Sequence, residues 1–476
     1  MSNQPQTDPL VDALAPAYAA MADRIWDTPE LRYAEAHSVA EQIALMREAG
    51  FTVTERVAGI PTAFMAEWGA GGPLIAFLGE FDALAGLSQA AGVAVKTPLI
   101  EGGNGHGCGH NLLGAGAMLA ATALRDHLRE SGRPGRVRYY GCPAEEGGSG
   151  KTFMARAGAF EGVDASFSWH PSSFNAVSPG RSLANVQVYY RFHGRASHAA
   201  ASPELGRSAL DAVELTSVGV QYMREHMPEK ARVHSAITRT GGISPNVVQD
   251  HAEVLYLIRS PEPADAMALF ERVTKIARGA AMMTETEVTF EVDRACSSLL
   301  PNRVLDRVMQ AELERLGSAG FDAEDHRFAA AIRQTLTPQD VGAAYRMFGL
   351  DAPADAPILH EGTLPLVPET LVMPGSTDVG DVSWQMPLTQ CVAATCAVGT
   401  PFHTWQLVAQ GKSPMAHRGM IHAAKAMAGA AERLLDDPAL LAEARAEFAA
   451  RTAARPYVSP LPDDVVPPPL RRKAAE

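Results

Sequence analysis

The run Gly105-His106-Gly107-Cys108-Gly109-His110-Asn111 sets a thiol and an imidazole two residues apart, directly before an apolar helical pattern. Cys and His are the softest metal ligands a protein has. Glycine lets the chain take strained angles and lets a ligand approach the backbone closely. The pair suggests a metal site at the mouth of a helix. Alone it proves little, because loops often carry a stray His or Cys. Partners elsewhere in the chain decide the matter, and candidates exist. Glu145-Glu146 offers one carboxylate to bind a metal and another to take a proton from activated water. A solvated acidic turn is the commoner fate of such a pair. His170 and His403 each follow an apolar run, although a lone histidine is more often a satisfied structural residue than a ligand.

The elements that must position these residues follow from hydrophobic periodicity. Leu74 to Leu78 is a short buried-type strand running into Gly79-Glu80-Phe81-Asp82. A helix over 111–130 follows, then a strand from Val137 to Tyr140 that leads into Glu145-Glu146, then a strand from Ala165 to Trp169 that ends at His170-Pro171. Cys391 to Val398 reads as a further buried strand before His403, with Cys391 and Cys396 on its opposite faces. This alternation predicts an α/β domain with a mostly parallel sheet and helices on both faces. Sites in open α/β sheets form outside the carboxyl ends of strands. Asp82, Cys108, His110, Glu145, Glu146 and His170 are therefore placed to converge.

The pattern changes near residue 183. A strand over 185–192, a helix over 207–226, strands over 233–238 and 253–258, a helix over 263–282 and a strand over 287–292 give β-α-β-β-α-β. That is the ferredoxin-like order. It predicts an inserted α+β domain over 183–297, between the two parts of the first domain at 1–182 and 298–476. Residues 318–370 are irregular and receive no elements, and the proline-rich tail from Pro456 reads as extended. His198, Asn246 and Arg259 fall in the insert; by residue type alone they read as a surface histidine, a turn asparagine and a snorkelling arginine.

Composition narrows the class. The chain has 476 residues, 46% of them hydrophobic, and a net charge of −13. An acidic chain is a poor fit to nucleic acid, whose phosphates need a basic surface. The longest apolar segment, Leu112 to Leu124, is too short and too rich in Gly and Ala to span a bilayer. Met1 to Pro9 has no basic stretch followed by an apolar one, so no leader is expected. The five cysteines are odd in number and show no disulfide spacing, which suits a reducing, cytoplasmic compartment. Gly375 to Asp381 lacks the Lys-Ser/Thr ending of a nucleotide phosphate loop.

Taken together, Trp26 to Glu30, Gly79 to Leu84, Gly105 to Asn111, Gly141 to Gly148, Gly194 to His198, Gly375 to Ser383 and His403 to Gln406 resemble the M20 metallopeptidase/amidohydrolase family. The resemblance implies a catalytic domain with two divalent ions per protomer, Mn²⁺ or Zn²⁺, and an inserted lid domain that dimerises. It makes Cys108, His110, Glu146, His170 and His403 metal ligands, with Cys108 between the two ions. Glu145 becomes general base and later proton donor, and Asp82 the orienter of a ligand. His198, Asn246 and Arg259 become substrate-binding: His198 polarises the scissile carbonyl, often in the partner protomer's site, and the other two hold a carboxylate. The chain departs from the pattern at Glu80-Phe81-Asp82, where the broader family has His-x-Asp, at Asn111, where Asp is common, and at Ala85, where Pro is expected.

The implied reaction is hydrolysis of the amide bond of an N-acyl amino acid, such as the aroyl compound p-aminobenzoyl-glutamate, by metal-activated water. Other N-acyl amino acids, dipeptides or an aromatic amine are alternative substrates. The implied assembly is a homodimer through the lid, or a heteromer with a homologous chain. A carboxylate-binding module without catalysis is a further reading, which the complete set of base and ligands opposes.

Overall fold

The structure, a computed structural model, describes residues 5–468. Residues 1–4 and 469–476, the last of which end the proline-rich tail, lie outside the described residues. In chain order the strands are β1 (Thr52–Glu55), β2 (Phe64–Ala70), β3 (Leu74–Glu80), β4 (Gly135–Cys142), β5 (Ala165–Ser172), β6 (Ala176–Val177), β7 (Ala184–His193), β8 (Arg232–Arg239), β9 (His251–Ser260), β10 (Glu287–Cys296) and β11 (Leu388–Ala394). Seven form one sheet in the order β1-β2-β4-β3-β5-β11-β6, and four form another in the order β10-β7-β9-β8.

The first sheet is mixed, which corrects the expectation of a mostly parallel one. Its centre, β4-β3-β5-β11, is parallel. Both margins are antiparallel, through β1–β2, β2–β4 and β11–β6. The reason is connection length. Parallel neighbours need a crossover of a dozen or more residues. Only residues 71–73 separate β2 from β3, so the chain reverses there and β2 runs against β4. The same reversal over 173–175 turns β6 around.

All seven residues of β3 are buried, as expected of a central strand covered on both faces. The helix His110–Ser131 is buried on every side from His110 to Leu128. It lies between the sheet and the helices Thr7–Asp27 and Pro414–Asp436. From Leu112 to Leu124 it carries small and apolar residues on every face, Thr122 excepted, because no face meets water. It therefore fixes the two residues at its start firmly against the strand ends.

The second sheet follows the β-α-β-β-α-β order, with helices Ala209–Met223 and Pro263–Thr284 on one face. Val186, Val188, Tyr190, Val254, Tyr256 and Ile258 pack against them. Its opposite face carries Asn185, Gln187 and Arg259.

Two further expectations need correction. Residues 318–370 contain two helices, Ala323–Arg333 and Pro338–Arg346, each opened by a reciprocal capping box, Asp322/Asp325 and Thr337/Asp340. Those caps are sequence signals in their own right. β11 stops at Ala394, so Cys396 lies beyond the strand, with its thiol against the Ser172 carbonyl at 3.3 Å. The described part of the tail has no α-helix or strand, in line with the expected extended course, and is tied down where the Tyr457 hydroxyl donates to Asp381 at 2.9 Å. No described helix is long and apolar enough to cross a membrane.

Candidate metal centre

The carboxyl ends of the central strands deliver the expected residues to one place. β3 ends at Glu80, with Asp82 two residues on; β4 leads into Glu145-Glu146; His170 is near the end of β5; His403 lies in the loop after β11. Cys108 and His110 arrive from the start of the buried helix. Gly109 takes a left-handed φ of 76°, and a Cβ there would come within 2.9 Å of Pro171. Only glycine lets the helix begin this close to the end of β5.

Cys108, His110 and His170 present ligand atoms within 4.8 Å of one another, and so do Cys108, Glu146 and His403. Cys108 belongs to both groups. Its Sγ is 3.4 Å from His170 Nε2, and His403 Nε2 is 3.3 Å from Glu146 Oε2. His110 Nδ1 lies 3.0 Å from Asp82 Oδ1, and His170 Nδ1 lies 2.8 Å from the Pro171 carbonyl. Each Nδ1 donates in those contacts, which leaves Nε2 with the lone pair a metal takes. Asp82 does more than orient His110, because its other oxygen accepts from the Glu146 amide at 2.9 Å.

Electrostatics separates the adjacent glutamates. Burial raises the Glu145 carboxyl pKa well above the ordinary range, and the Glu80, Glu146 and Asp378 carboxylates raise it further. For Glu146, burial acts the same way but is outweighed by His403 and His110, so its pKa is lowered. Two neighbouring carboxyls pushed apart in this way suit a proton carrier beside a ligand. His170 is held neutral by burial and by His110, the form that binds a metal. Burial, then Glu146, pushes the Cys108 thiol pKa up; a thiolate there calls for a compensating cation. Glu146 Oε1 is buried without a partner. A soft donor set sharing one sulfur, with a buried carboxylate oxygen left without a partner, fits a binuclear divalent centre.

Three residues at this centre carried no assignment in the sequence. Glu80, noted there only as a departure from the family pattern, places Oε2 3.3 Å from His110 Nε2 and groups with His110 and Glu145. Its other oxygen is 2.6 Å from Lys151 Nζ, which also lies 2.7 Å from Asp378 Oδ1. Lys151 is fully buried. A lysine just past a Gly-rich turn, on a helix that has to be buried, was the available signal. Asn111, a second of the three departures, turns its amide to the Gly411 carbonyl at 3.0 Å. His106 is buried, makes its contact with the Ile25 carbonyl at 3.2 Å, and has its pKa pushed down to about 4 by burial.

His198 and Asn246 sit together but apart from this cluster. Both are exposed. His198 Nδ1 accepts from the amides of Ala200 and Ala201 at 3.2 and 3.1 Å, and the Asn246 carbonyl accepts from Ala199 at 3.0 Å. No described contact joins either side chain to a metal-type residue. Arg259 is half-buried on β9, and its guanidinium donates to the Pro374 carbonyl at 3.5 Å.

Residues 76–394 match the model for peptidase family M20/M25/M40. The chain is 49% identical over 473 residues, 98% of both chains, to the B component of the p-aminobenzoyl-glutamate hydrolase of Escherichia coli (strain K12). It is 31% identical over 453 residues, 92% of this chain and 90% of the other, to the Xaa-Arg dipeptidase of Mus musculus. Its fold resembles that of a dinuclear metal binding peptidase of the M20 family from Bacillus subtilis, with a TM-score of 0.56, 18% identity, and coverage of 89% of this chain and 99% of that one. With matched residues spanning most of the sequence, this chain belongs to peptidase family M20/M25/M40 and is a hydrolase.

Proposed function

We propose that the chain hydrolyses the amide bond of an N-aroyl amino acid such as p-aminobenzoyl-glutamate. The observation that carries this reading is the overlap of two ligand groups at Cys108 with Glu145 at their edge; the substrate for which the 49% identical relative is named supports it. Two divalent ions, Mn²⁺ or Zn²⁺, would be held by Cys108, His110 and His170 and by Cys108, Glu146 and His403, and would supply Lewis acidity and a lowered pKa for water.

The remaining work falls to the chain. Glu145 takes the proton of the attacking water and returns it to the leaving amine nitrogen, which its raised pKa suits. Asp82 fixes the His110 ring and the Glu146 backbone together. Arg259 and Asn246 hold the substrate carboxylate, since a guanidinium binds it as a fork. His198 donates to the carbonyl oxygen as charge develops there. Its exposure, remote from the cluster of its own chain, supports action in a partner's site. The unit over 183–297 then acts as lid and dimerisation domain, in a homodimer or in a heteromer with a chain like the A component of the Escherichia coli hydrolase, which is 28% identical over 242 residues. Five unpaired cysteines suit a cytoplasmic location.

The test is turnover by metal-stripped protein reconstituted with Mn²⁺ or Zn²⁺, assayed on p-aminobenzoyl-glutamate and on a dipeptide ending in arginine. Release of p-aminobenzoate only from the reconstituted protein is expected. Cleavage of the arginyl dipeptide alone overturns the reading.

A further inference from the structure

Arg259 and Arg294 share one face of the second sheet. In the antiparallel register Arg259 lies opposite Asn185, and Arg294 lies opposite Gln187. Asn185 and Gln187 are two apart on β7, so their side chains and those of their cross-strand partners project to the same side. Arg294 reaches that side through a break in register between Val292 and Arg294. Without the extra residue Asp293 would stand opposite Gln187. Bulges of this kind often re-aim a side chain beside an active site.

The Arg294 guanidinium lies directly at the glutamate pair. Its Nη1 donates to the Glu146 carbonyl at 3.2 Å, and Nη2 donates to Gln187 Oε1 at 3.1 Å. A Cβ on Gly147 would come 2.7 Å from Arg32 Nη1 and 2.8 Å from Arg294 Nη1, so both guanidinium groups crowd that glycine. Neither Arg259 nor Arg294 has a carboxylate within ion-pair distance among the described residues, and the Nε of each is buried without a partner. Burial lowers the Arg259 pKa, and the Arg294 charge adds to the drop. Two uncompensated, half-buried guanidinium groups on one sheet face repel each other. An occupant with two negative charges would relieve that cost, and a cationic one would add to it.

We infer that Arg294 is a second carboxylate anchor beside Arg259, so that this site selects a dicarboxylic amino acid as the amine half of its substrate. This rests on the amidohydrolase reading above and narrows it. The α-carboxylate goes to Arg259, and the side-chain carboxylate goes to the open donors of Arg294. A neutral side chain forfeits the second fork and leaves the half-buried Arg294 without a counter-charge.

The experiment compares p-aminobenzoyl-glutamate with p-aminobenzoyl-glutamine, in turnover and in calorimetric binding to metal-loaded protein. The wild type is expected to prefer glutamate by about 10–100-fold, mostly in KM, the range for a hydrogen bond to a charged group. Arg294→Gln should collapse that ratio towards one at unchanged metal content, and Arg294→Lys should restore part of it. A wild type that cleaves both compounds equally overturns the anchor while leaving the amidohydrolase reading intact. So does an Arg294→Gln variant that loses both by the same factor. A wild type that binds glutamate over glutamine but cleaves neither overturns the amidohydrolase reading and leaves the anchor standing. Should Arg294→Gln not fold, the wild-type comparison and Arg294→Lys still decide.

Discussion

The strand-end cluster and the tip of the second sheet use similar residues in opposite ways. At the cluster, His110 and Lys151 are fully buried and each faces two carboxylates. At the tip, His198 and Asn246 are exposed and are engaged through amides and carbonyls of their own loops. One chain completes the cluster. The tip offers polar groups that its own chain leaves unused. The contrast teaches that burial with pairing marks residues that serve within the chain, while exposed, backbone-held polar groups suit contact with something arriving from outside.

The sharpest test removes Glu145, the proposed proton carrier. Glu145→Ala should lower turnover about 10⁴-fold, the upper end for a general acid–base residue, with metal content unchanged by elemental analysis. Loss of metal together with activity would mean that Glu145 belongs among the ligands. The next test asks whether burial with pairing is structural. Lys151→Met strands Glu80 and Asp378, and should cost about 3–5 kcal/mol in urea unfolding. Arg232→Met, on the exposed strand β8, should stay within about 0.5 kcal/mol. Equal shifts for the two would erase the distinction between the regions.

The smallest effect concerns the tip. His198→Ala should lower turnover about 10²-fold, as for loss of one oxyanion donor. If the histidine serves a partner's site, mixing His198→Ala with Glu145→Ala protein should recover about a quarter of wild-type turnover, the statistical share of intact sites in mixed dimers. No recovery from pairs shown to have exchanged protomers would return His198 to its own chain.

Legibility in the sequence followed the range of the interaction. Cys108, His110, Glu145, Glu146 and His170 stood beside apolar runs whose strand character could be read locally, and strand ends in an α/β sheet point to one edge. The second sheet's β-α-β-β-α-β order was legible too, because the hydrophobic period and the order of elements change together. The antiparallel margins of the first sheet were not, since they depend on which strand a short turn lets the chain meet. Helices 323–333 and 338–346 announced themselves through Asp322 and Thr337, signals that weak periodicity in the surrounding stretch obscured.

Residue types and spacing alone determined which side chains could bind metal and move a proton, because donor softness and strand-end placement are local properties. Tertiary structure decided which of them share an atom and which face the same cleft. Cys108 became common to two ligand groups only when β5 and the loop after β11 were brought to the start of one buried helix. Glu80 and Lys151, 71 positions apart in the chain, became a pair only through the parallel contact of β3 and β4. Arg294 joined Arg259 through a one-residue bulge in β10. These are long-range matters of register and packing, and charge pairing in a low-dielectric interior depends on distance in space rather than along the chain.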